Sequence, residues 1–329
     1  MVAVGYSLSS EELAPNDLVR YAQRAEEVGF PYALISDHFH PWTDQQGQSA
    51  FVWSVVGAIA QATHLLRLGT GVTCPIIRYH PAIIAQAAAT SNVMMNGRFF
   101  LGVGAGENLN EHVVGEGWPP TEIRHEMLAE AVEIMRLPWQ GGTQSYYGSY
   151  YNVENARIYT LPDKPTPIMI AAGGQKAAEL AGQFGDGLIA TSPDKEIVQA
   201  FEQAGGKDKG RYGQMSVCIA RTEAEARRTA LTWWPTAGLK GELSSELALP
   251  KYFEDASSLV GEDSVAKTIL CSQDPKQHLE RIQAYADAGF DHVYVHQIGP
   301  DQEAFFNFYQ REVLPQFRPH PHKRTTRAR

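Results

Sequence analysis

The 329-residue sequence contains only three cysteines, Cys74, Cys218 and Cys271, which lie far apart. This number and spacing argue against a disulfide framework or a cysteine-based metal site, and they are typical of a protein of the reducing cytoplasm. No apolar run reaches the roughly 18 residues of a transmembrane helix, so we expect no membrane partner. The N-terminus has neither a basic start nor a long apolar segment, so we also expect no secretory signal.

Positive charge is scarce. The chain has 28 lysines and arginines against 37 aspartates and glutamates, for a net charge of −9. This balance argues against a nucleic acid or an anionic membrane as a partner and leaves a small-molecule substrate. Basic residues concentrate in the last segment, 318–329, which we expect to be a flexible tail. The hydrophobic fraction of 43% is typical of a globular protein with a sizeable core.

Several catalytic motifs are also missing. The chain has no G-x-x-x-x-G-K-[ST] phosphate loop and no G-x-G-x-x-G after its first strand. It has no G-x-S-x-G nucleophile elbow, which argues against a serine hydrolase. No predicted helix carries an H-x-x-x-H or H-x-x-E pair, and His38 and His40 fall on opposite sides of an extended segment. We therefore expect no metal site.

What the chain does have is a regular alternation of strand and helix patterns. Short apolar strands precede amphipathic helices eight times, with no break in composition that marks a domain boundary. Eight such units favour a (β/α)8 TIM barrel, within the α/β class, over a doubly wound sheet. We expect one domain over residues 1–317. The predicted strands cover residues 2–7, 32–36, 66–70, 98–103, 167–171, 187–190, 214–219 and 292–296.

Two segments interrupt the alternation. A tyrosine-rich stretch around Gly148, residues 141–161, predicts a β-hairpin inserted after the fourth helix. Residues 235–261, beyond the seventh strand, are irregular and charged, and we interpret them as a lid-like insertion over a site.

Polar residues gather where the predicted strands end. Asp37 and His38 follow the second strand, and alone they would more often be a helix cap and a surface histidine. Five other strand ends carry glycine-rich or polar loops, among them Gly104–Gly106 with Glu107. Catalytic groups of a barrel come from this end of the strands. Gly173-Gly174 precedes a predicted helix, whose free N–H groups predict a phosphate site.

Together these segments resemble the luciferase-like barrel oxidoreductases, and within them the F420-dependent glucose-6-phosphate dehydrogenase subgroup. The similarity runs from about Val2 to Phe317. The motifs that carry it are S-D-H-F-H-P-W at 36–42, G-T-G-V-T-C-P at 69–75, F-L-G-V-G-A-G-E-N-L-N-E at 100–111, A-A-G-G at 171–174 and G-D-G-L-I-A-T-S at 185–192. The resemblance implies a luciferase-like TIM barrel that binds the deazaflavin coenzyme F420 and forms a homodimer.

The resemblance also implies residue roles. Catalytic roles fall to His38 as general base, Glu107 as proton donor near the ring's N1 edge, Trp42 as the wall on the substrate side, and Glu11 as an acid at the substrate mouth. The cofactor would be bound by Asp37, Gly71, Val72, Cys74, Glu107, Asn110, Ala172, Gly173, Gly174 and Thr191. The bond between Gly71 and Val72 would be a non-prolyl cis peptide behind the ring. The family has threonine where Cys74 stands.

The substrate is less defined by the resemblance. Sugar-phosphate dehydrogenases of the subgroup hold phosphate with two lysines and an arginine. Arg281 falls near the place of the arginine, Lys195 is offset by one residue from the first lysine, and the second lysine's region is the acidic 253–256. With Trp42, Lys195 and Arg281 are the candidate substrate-binding residues. We expect hydride transfer to or from a small alcohol, carbonyl or sugar phosphate. The alternatives are an FMN-dependent monooxygenase and a non-catalytic cofactor-binding barrel.

Overall fold

A computed structural model describes residues 2–317, so the predicted basic tail lies outside the described residues. The strands are β1 Ala3–Leu8, β2 Tyr32–Ile35, β3 Arg67–Thr70, β4 Phe99–Val103, β5 Gln144–Tyr147, β6 Asn152–Ala156, β7 Ile168–Ala171, β8 Gly187–Ala190, β9 Gly210–Val217 and β10 His292–Gln297. Eight of them run parallel and close into a barrel, in the order β1-β10-β9-β8-β7-β4-β3-β2, and β5 pairs with β6 in a separate antiparallel hairpin. The predicted (β/α)8 barrel is confirmed.

Helices surround the barrel and follow the expected local signals. Pro15 starts α1, and Gly29 ends it at φ 100°, a backbone conformation that favours glycine. The helices are α1 Pro15–Val28, α2 Val52–Ala62, α3 Pro81–Met94, α4 Asn108–Glu111, α5 Thr121–Arg136, α6 Gln175–Phe184, α7 Lys195–Phe201, α8 Glu223–Trp233, α9 Leu243–Glu246, α10 Pro250–Ser257, α11 Glu262–Val265, α12 Pro275–Asp287 and α13 Gln302–Phe308. Within residues 2–317, none is long and apolar enough to cross a membrane.

The barrel interior is filled by large side chains. The inward cluster consists of Tyr32, Leu34, Phe100, Met169, Ile189, Tyr212 and Tyr294, all buried. Gly69 makes room for one of them, since a Cβ at this glycine would stand 2.1 Å from the Phe100 ring. Ile189 and Tyr294 also line the cavity described below, so the packed interior forms its floor.

The irregular segments hold one difference from the sequence prediction. The hairpin of β5 and β6 lies within the predicted insertion, but the loop after β4 contains a short helix, α4, at residues predicted to be an open loop. The second insertion begins after α8 and is largely helical, with α9 and α10 inside it. Pattern reasoning missed α4 because one helical turn is too short to show a periodicity.

Candidate active site

A cavity of about 780 Å³ opens at the carboxyl ends of the barrel strands. This is the end where the sequence places its polar loops, and it is where barrel enzymes carry their catalytic groups. Ten of the predicted site residues line it: Glu11, His38, Trp42, Gly71, Val72, Glu107, Ala172, Gly173, Gly174 and Thr191.

A buried carboxylate–imidazole pair lies in this cavity. Glu11 Oε1 is 3.3 Å from His38 Nε2, and both side chains are less than a tenth exposed. The hydroxyl of Ser36 donates to Glu11 Oε2 at 2.6 Å, and that of Ser9 donates to the same oxygen at 2.9 Å. The loops after β1 and β2 thus hold the pair in a fixed geometry.

The hydrogen bonds of this pair assign its protons. His38 Nδ1 lies 3.2 Å from the His40 carbonyl oxygen, which only accepts, so Nδ1 carries a proton. Burial raises the pKa of the Glu11 carboxyl, but the facing His38 ring and the Ser36 hydroxyl outweigh burial and hold the pKa below its usual value. An ionised Glu11 stabilises the protonated ring. His38 Nε2 is therefore the atom that can gain or lose a proton.

Aromatic rings enclose the histidine. The rings of His38 and Trp42 are 5.1 Å apart at 58°, and Trp42 meets Phe253 of α10 edge to face at 5.1 Å. Phe253 is fully buried and belongs to the 235–261 insertion. This insertion therefore packs against the wall of the site.

The backbone beside the histidine contains the predicted irregular bond. The Gly71–Val72 peptide is cis, as the resemblance implies. Gly104 follows β4 and packs against Val72, since a Cβ at this glycine would stand 2.8 Å from Val72 Cγ2. The glycine after β4 is therefore needed for packing against this bond, in addition to leaving backbone open to the cavity.

Asn110 positions the catalytic loops and does not line the cavity. Its Oδ1 accepts from the backbone N–H of Phe39 at 2.9 Å and of His40 at 3.2 Å, and its Nδ2 is 3.4 Å from Glu107 Oε2. The amide therefore ties the loop that carries His38 to the loop that carries Glu107. Glu107 itself is half-buried and faces the cavity.

Asp37 is also turned away from the cavity. Thr73 Oγ1 donates to its Oδ2 at 2.8 Å, and Arg78 Nη2 donates to its Oδ1 at 3.0 Å. Arg78 in turn lies 3.5 Å from Glu111 Oε1, and its backbone N–H donates to Glu111 Oε2 at 2.7 Å. Burial raises the Glu111 pKa to about 7, although Arg78 opposes the shift. Sequence reasoning missed Arg78, because no local signal marks an arginine whose partners are 33 and 41 residues away.

Cys74 packs beneath the loop after β4. A Cβ on Gly106 would stand 2.4 Å from Cys74 Sγ, and Gly106 has φ +75°. Burial raises the pKa of the Cys74 thiol well above its usual value, so the sulfur is a neutral packing group. Asp37, Cys74 and Asn110 therefore lie outside the cavity lining, where they contact the loops that carry the lining residues.

The far end of the cavity has the features of an anion site. Gly173 and Gly174 precede α6, and a Cβ on either would meet no atom within 4 Å. A ligand can therefore approach the free N–H groups of the first turn of a ten-residue helix. Thr191 lines the same cavity, and its carbonyl accepts from the Tyr285 hydroxyl at 3.2 Å.

The two predicted phosphate-binding cations do not line this cavity. Lys195 is exposed at the first position of α7, and Arg281 is half-buried on α12. Within residues 2–317, no group of three or more histidine, cysteine or acidic side chains lies close enough together to hold a metal ion.

The structure adds a second pair that the sequence reasoning did not assign. His296 Nε2 lies 2.8 Å from Glu12 Oε2, both side chains are almost fully buried, and His296 lines the cavity at the end of β10. Its position at the carboxyl end of the last strand was the available signal. The indole of Trp234 meets the His296 ring edge to face at 4.7 Å.

Comparison with known proteins agrees with this geometry. A family model for luciferase-like monooxygenases matches residues 2–292. The F420-dependent glucose-6-phosphate dehydrogenase of Amycolatopsis mediterranei (strain U-32) is 37% identical, with 97% of this chain and 99% of that protein aligned. The protein of the same name from Mycolicibacterium gilvum (strain PYR-GCK) is also 37% identical, over 96% and 98%.

Solved structures give the same answer. An F420-dependent secondary alcohol dehydrogenase in complex with an F420–acetone adduct superposes with a TM-score of 0.90 at 30% identity, covering 97% of this chain and 99% of the other. The F420-dependent tetrahydromethanopterin reductase from Methanopyrus kandleri has a TM-score of 0.79 at 22% identity, covering 96% and 99%, which shows a shared fold. This chain belongs to the luciferase-like family, and within it to the branch of the relatives named F420-dependent glucose-6-phosphate dehydrogenase.

Proposed function

We propose that the protein is an F420-dependent oxidoreductase acting on a small organic alcohol or carbonyl compound. The observation that carries the proposal is that one cavity holds a proton-transfer pair, Glu11 and His38, together with an open helix start at Gly173-Gly174. A phosphate-bearing deazaflavin fits these residues: its tail would lie at the helix start and its ring against the Gly71–Val72 peptide.

The bound coenzyme would supply a carbon centre that accepts or donates hydride. The protein's own part is to move the protons. His38 Nε2 takes the hydroxyl proton of an alcohol, or returns it to a carbonyl oxygen, because Glu11 stabilises the ring once it is charged. Glu107, held by Asn110, serves as the proton donor on the opposite side of the site. Trp42 restricts the substrate to the space next to His38.

The charges around His38 favour a neutral substrate. Glu11 and Trp42 contact this ring, and Ser9, Ser36 and His296 line the same cavity. Among the described residues, the lysine and arginine side chains that line the cavity are Lys176 and Arg124, which lie on α6 and α5 beside the anion site. A phosphate dianion next to His38 would face carboxylates without a cation. The sugar phosphate of the named relatives is therefore the second candidate.

A substrate panel tests the proposal. Turnover is followed by F420 absorbance with secondary alcohols, their ketones and glucose 6-phosphate, and binding is compared between F420 and FMN. We expect activity with a neutral alcohol or ketone and tight binding of F420. Tight binding of FMN without F420 would favour the monooxygenase alternative, and F420 binding without any turnover would favour a non-catalytic barrel.

His38→Ala tests the base directly. Loss of a positioned proton acceptor lowers kcat by roughly 100-fold or more. The dissociation constant of F420 should stay within about threefold, because His38 contacts the substrate side. His64→Ala is the control, since His64 is exposed and outside the cavity lining. Turnover that survives in His38→Ala would assign the proton transfer to another group.

We further propose a homodimer in the cytoplasm. Three large apolar side chains, Phe39, Phe51 and Ile83, are more than half exposed, which fits a surface covered by a second copy. The three cysteines are unpaired and buried, which fits a reducing compartment. Sedimentation equilibrium measures the oligomeric state, and a monomer at micromolar concentration would contradict the dimer.

A further inference from the structure

One buried arginine in the cavity wall has unused hydrogen-bonding capacity. Arg124, on α5, is 3% exposed and lines the cavity. Its Nη2 donates to Thr121 Oγ1 at 2.8 Å, and its Nη1 donates to Glu246 Oε1 at 3.2 Å. Its Nε is buried and has no hydrogen-bond partner. The Nε–H of this guanidinium is therefore a donor without an acceptor, which is uncommon for a buried polar group.

This arginine lines the same cavity as the anion site. Lys176 Nζ and Glu122 Oε1 are 3.6 Å apart and join the first turn of α6 to the first turn of α5. Arg124 follows Glu122 by two residues and lines the same cavity as Gly173 and Gly174. The indole of Trp118 covers one face of the guanidinium, with Arg124 Cζ 4.1 Å from the ring centre. The guanidinium is therefore held in place and its remaining donor is fixed in direction.

The acidic partner of Arg124 comes from the lid-like insertion. Glu246 is the last residue of α9 and its side chain is 46% exposed. Its carbonyl accepts from Asn108 Nδ2 at 3.0 Å, and Ser244 and Ser245 of the same turn line the cavity. An ion pair with one half-exposed partner is weak and easily exchanged.

We propose that Arg124 binds the phosphate-bearing tail of the cofactor, and that Glu246 occupies this arginine until the tail displaces it. This rests on the proposed function for the identity of the ligand. A phosphate carries more negative charge and more acceptor oxygens than the single Glu246 carboxylate oxygen that now accepts from Nη1, so it can replace this oxygen on the guanidinium. The displaced Glu246 frees α9, so cofactor binding and the position of the insertion are coupled.

Equilibrium dialysis with two ligands tests the assignment. The ligands are F420 and the same deazaflavin ring without its phosphate-bearing tail, each with wild type, Arg124→Met and Arg221→Met. We expect Arg124→Met to weaken F420 binding by about 10- to 100-fold, as for a charge-assisted hydrogen bond, and to change binding of the tail-less ring by less than about threefold. Arg221→Met is the matched control and should change neither by more than about threefold, because Arg221 is 90% exposed and lies outside the cavity lining.

The outcomes separate this inference from the proposed function. If wild type binds neither ligand, the proposed function fails and the inference fails with it. If wild type binds both and Arg124→Met weakens both equally, or neither, the proposed function stands and Arg124 has no tail-specific role.

Glu246→Gln tests the second half of the proposal. Because the amide competes less well for the guanidinium, we expect F420 to bind about three- to tenfold more tightly, with the tail-less ring unchanged. Weaker binding of F420 to Glu246→Gln would show that Glu246 helps to hold the ligand and would overturn its role as a placeholder. Melting temperatures of all variants, measured without ligand, check that each one folds.

Discussion

Replacing Arg78 with methionine should destabilise the protein by removing the guanidinium between two buried carboxylates. Arg78 Nη2 is 3.0 Å from Asp37 Oδ1, and Nε is 3.5 Å from Glu111 Oε1. The arginine side chain is 7% exposed and both carboxylates are fully buried. Methionine has a similar volume and no charge, so the change leaves packing nearly intact and leaves the two acids facing each other.

The magnitude follows from burial. Breaking a buried ion pair by removal of one partner costs about 3–5 kcal/mol. A chain of this size loses roughly 2 °C in Tm per kcal/mol, so we expect a fall of about 6–10 °C at pH 8. At pH 6 the loss should be smaller, because Glu111, with its pKa near 7, is then largely protonated and needs no cation.

Differential scanning fluorimetry at pH 6 and pH 8 measures these shifts. The double variant Arg78→Met/Asp37→Asn should recover at least about 2 kcal/mol, since Glu111 is then the one carboxylate of this network that is left without its cation. Arg227→Met is the control: this arginine also pairs with two acids, Glu223 and Asp263, but they are exposed, and the expected change is below about 1 kcal/mol. A loss of less than about 2 °C at pH 8 for Arg78→Met would refute the view that this network is desolvated.

Two further changes probe the support of the site. Burial raises the folded-state pKa of Glu111 from 4.5 to about 7, so the wild type loses roughly 3 kcal/mol of stability as pH rises between these values. Glu111→Gln does not undergo this loss, so its stability relative to wild type should increase from pH 5 to pH 8. Plots of Tm against pH that run parallel for the two proteins would contradict this. Gly106→Ala should cost about 1–3 kcal/mol in urea unfolding, because φ is +75° and Cys74 Sγ lies 2.4 Å from the new Cβ. Adding Cys74→Ala should restore part of the loss, and Gly117→Ala, with open space around it, should be neutral.

The barrel and the location of its site followed from the sequence. Strand and helix periodicities depend on neighbours a few residues apart, which a single sequence displays. The parallel order then puts the carboxyl ends of all eight barrel strands at one end, so the loops at His38, Glu107 and Gly173-Gly174 had to meet. Residues implied by resemblance, such as Glu11 and the cis Gly71–Val72 peptide, came from the motifs and not from periodicity.

Only the tertiary structure decided which polar side chains reach the cavity. Asp37 and His38 are adjacent in sequence but face different surroundings. Asp37 accepts hydrogen bonds from Thr73 and Arg78 outside the cavity lining, whereas His38 faces Glu11 inside the cavity. A buried polar side chain turns toward groups that can hydrogen-bond with it, and closure of the barrel determines which groups are near enough to do so. Glu12 meets His296 across 284 residues, and Arg124 meets Glu246 across 122 residues. No local pattern encodes such pairs, because they exist only once distant strands and loops share one end of the barrel.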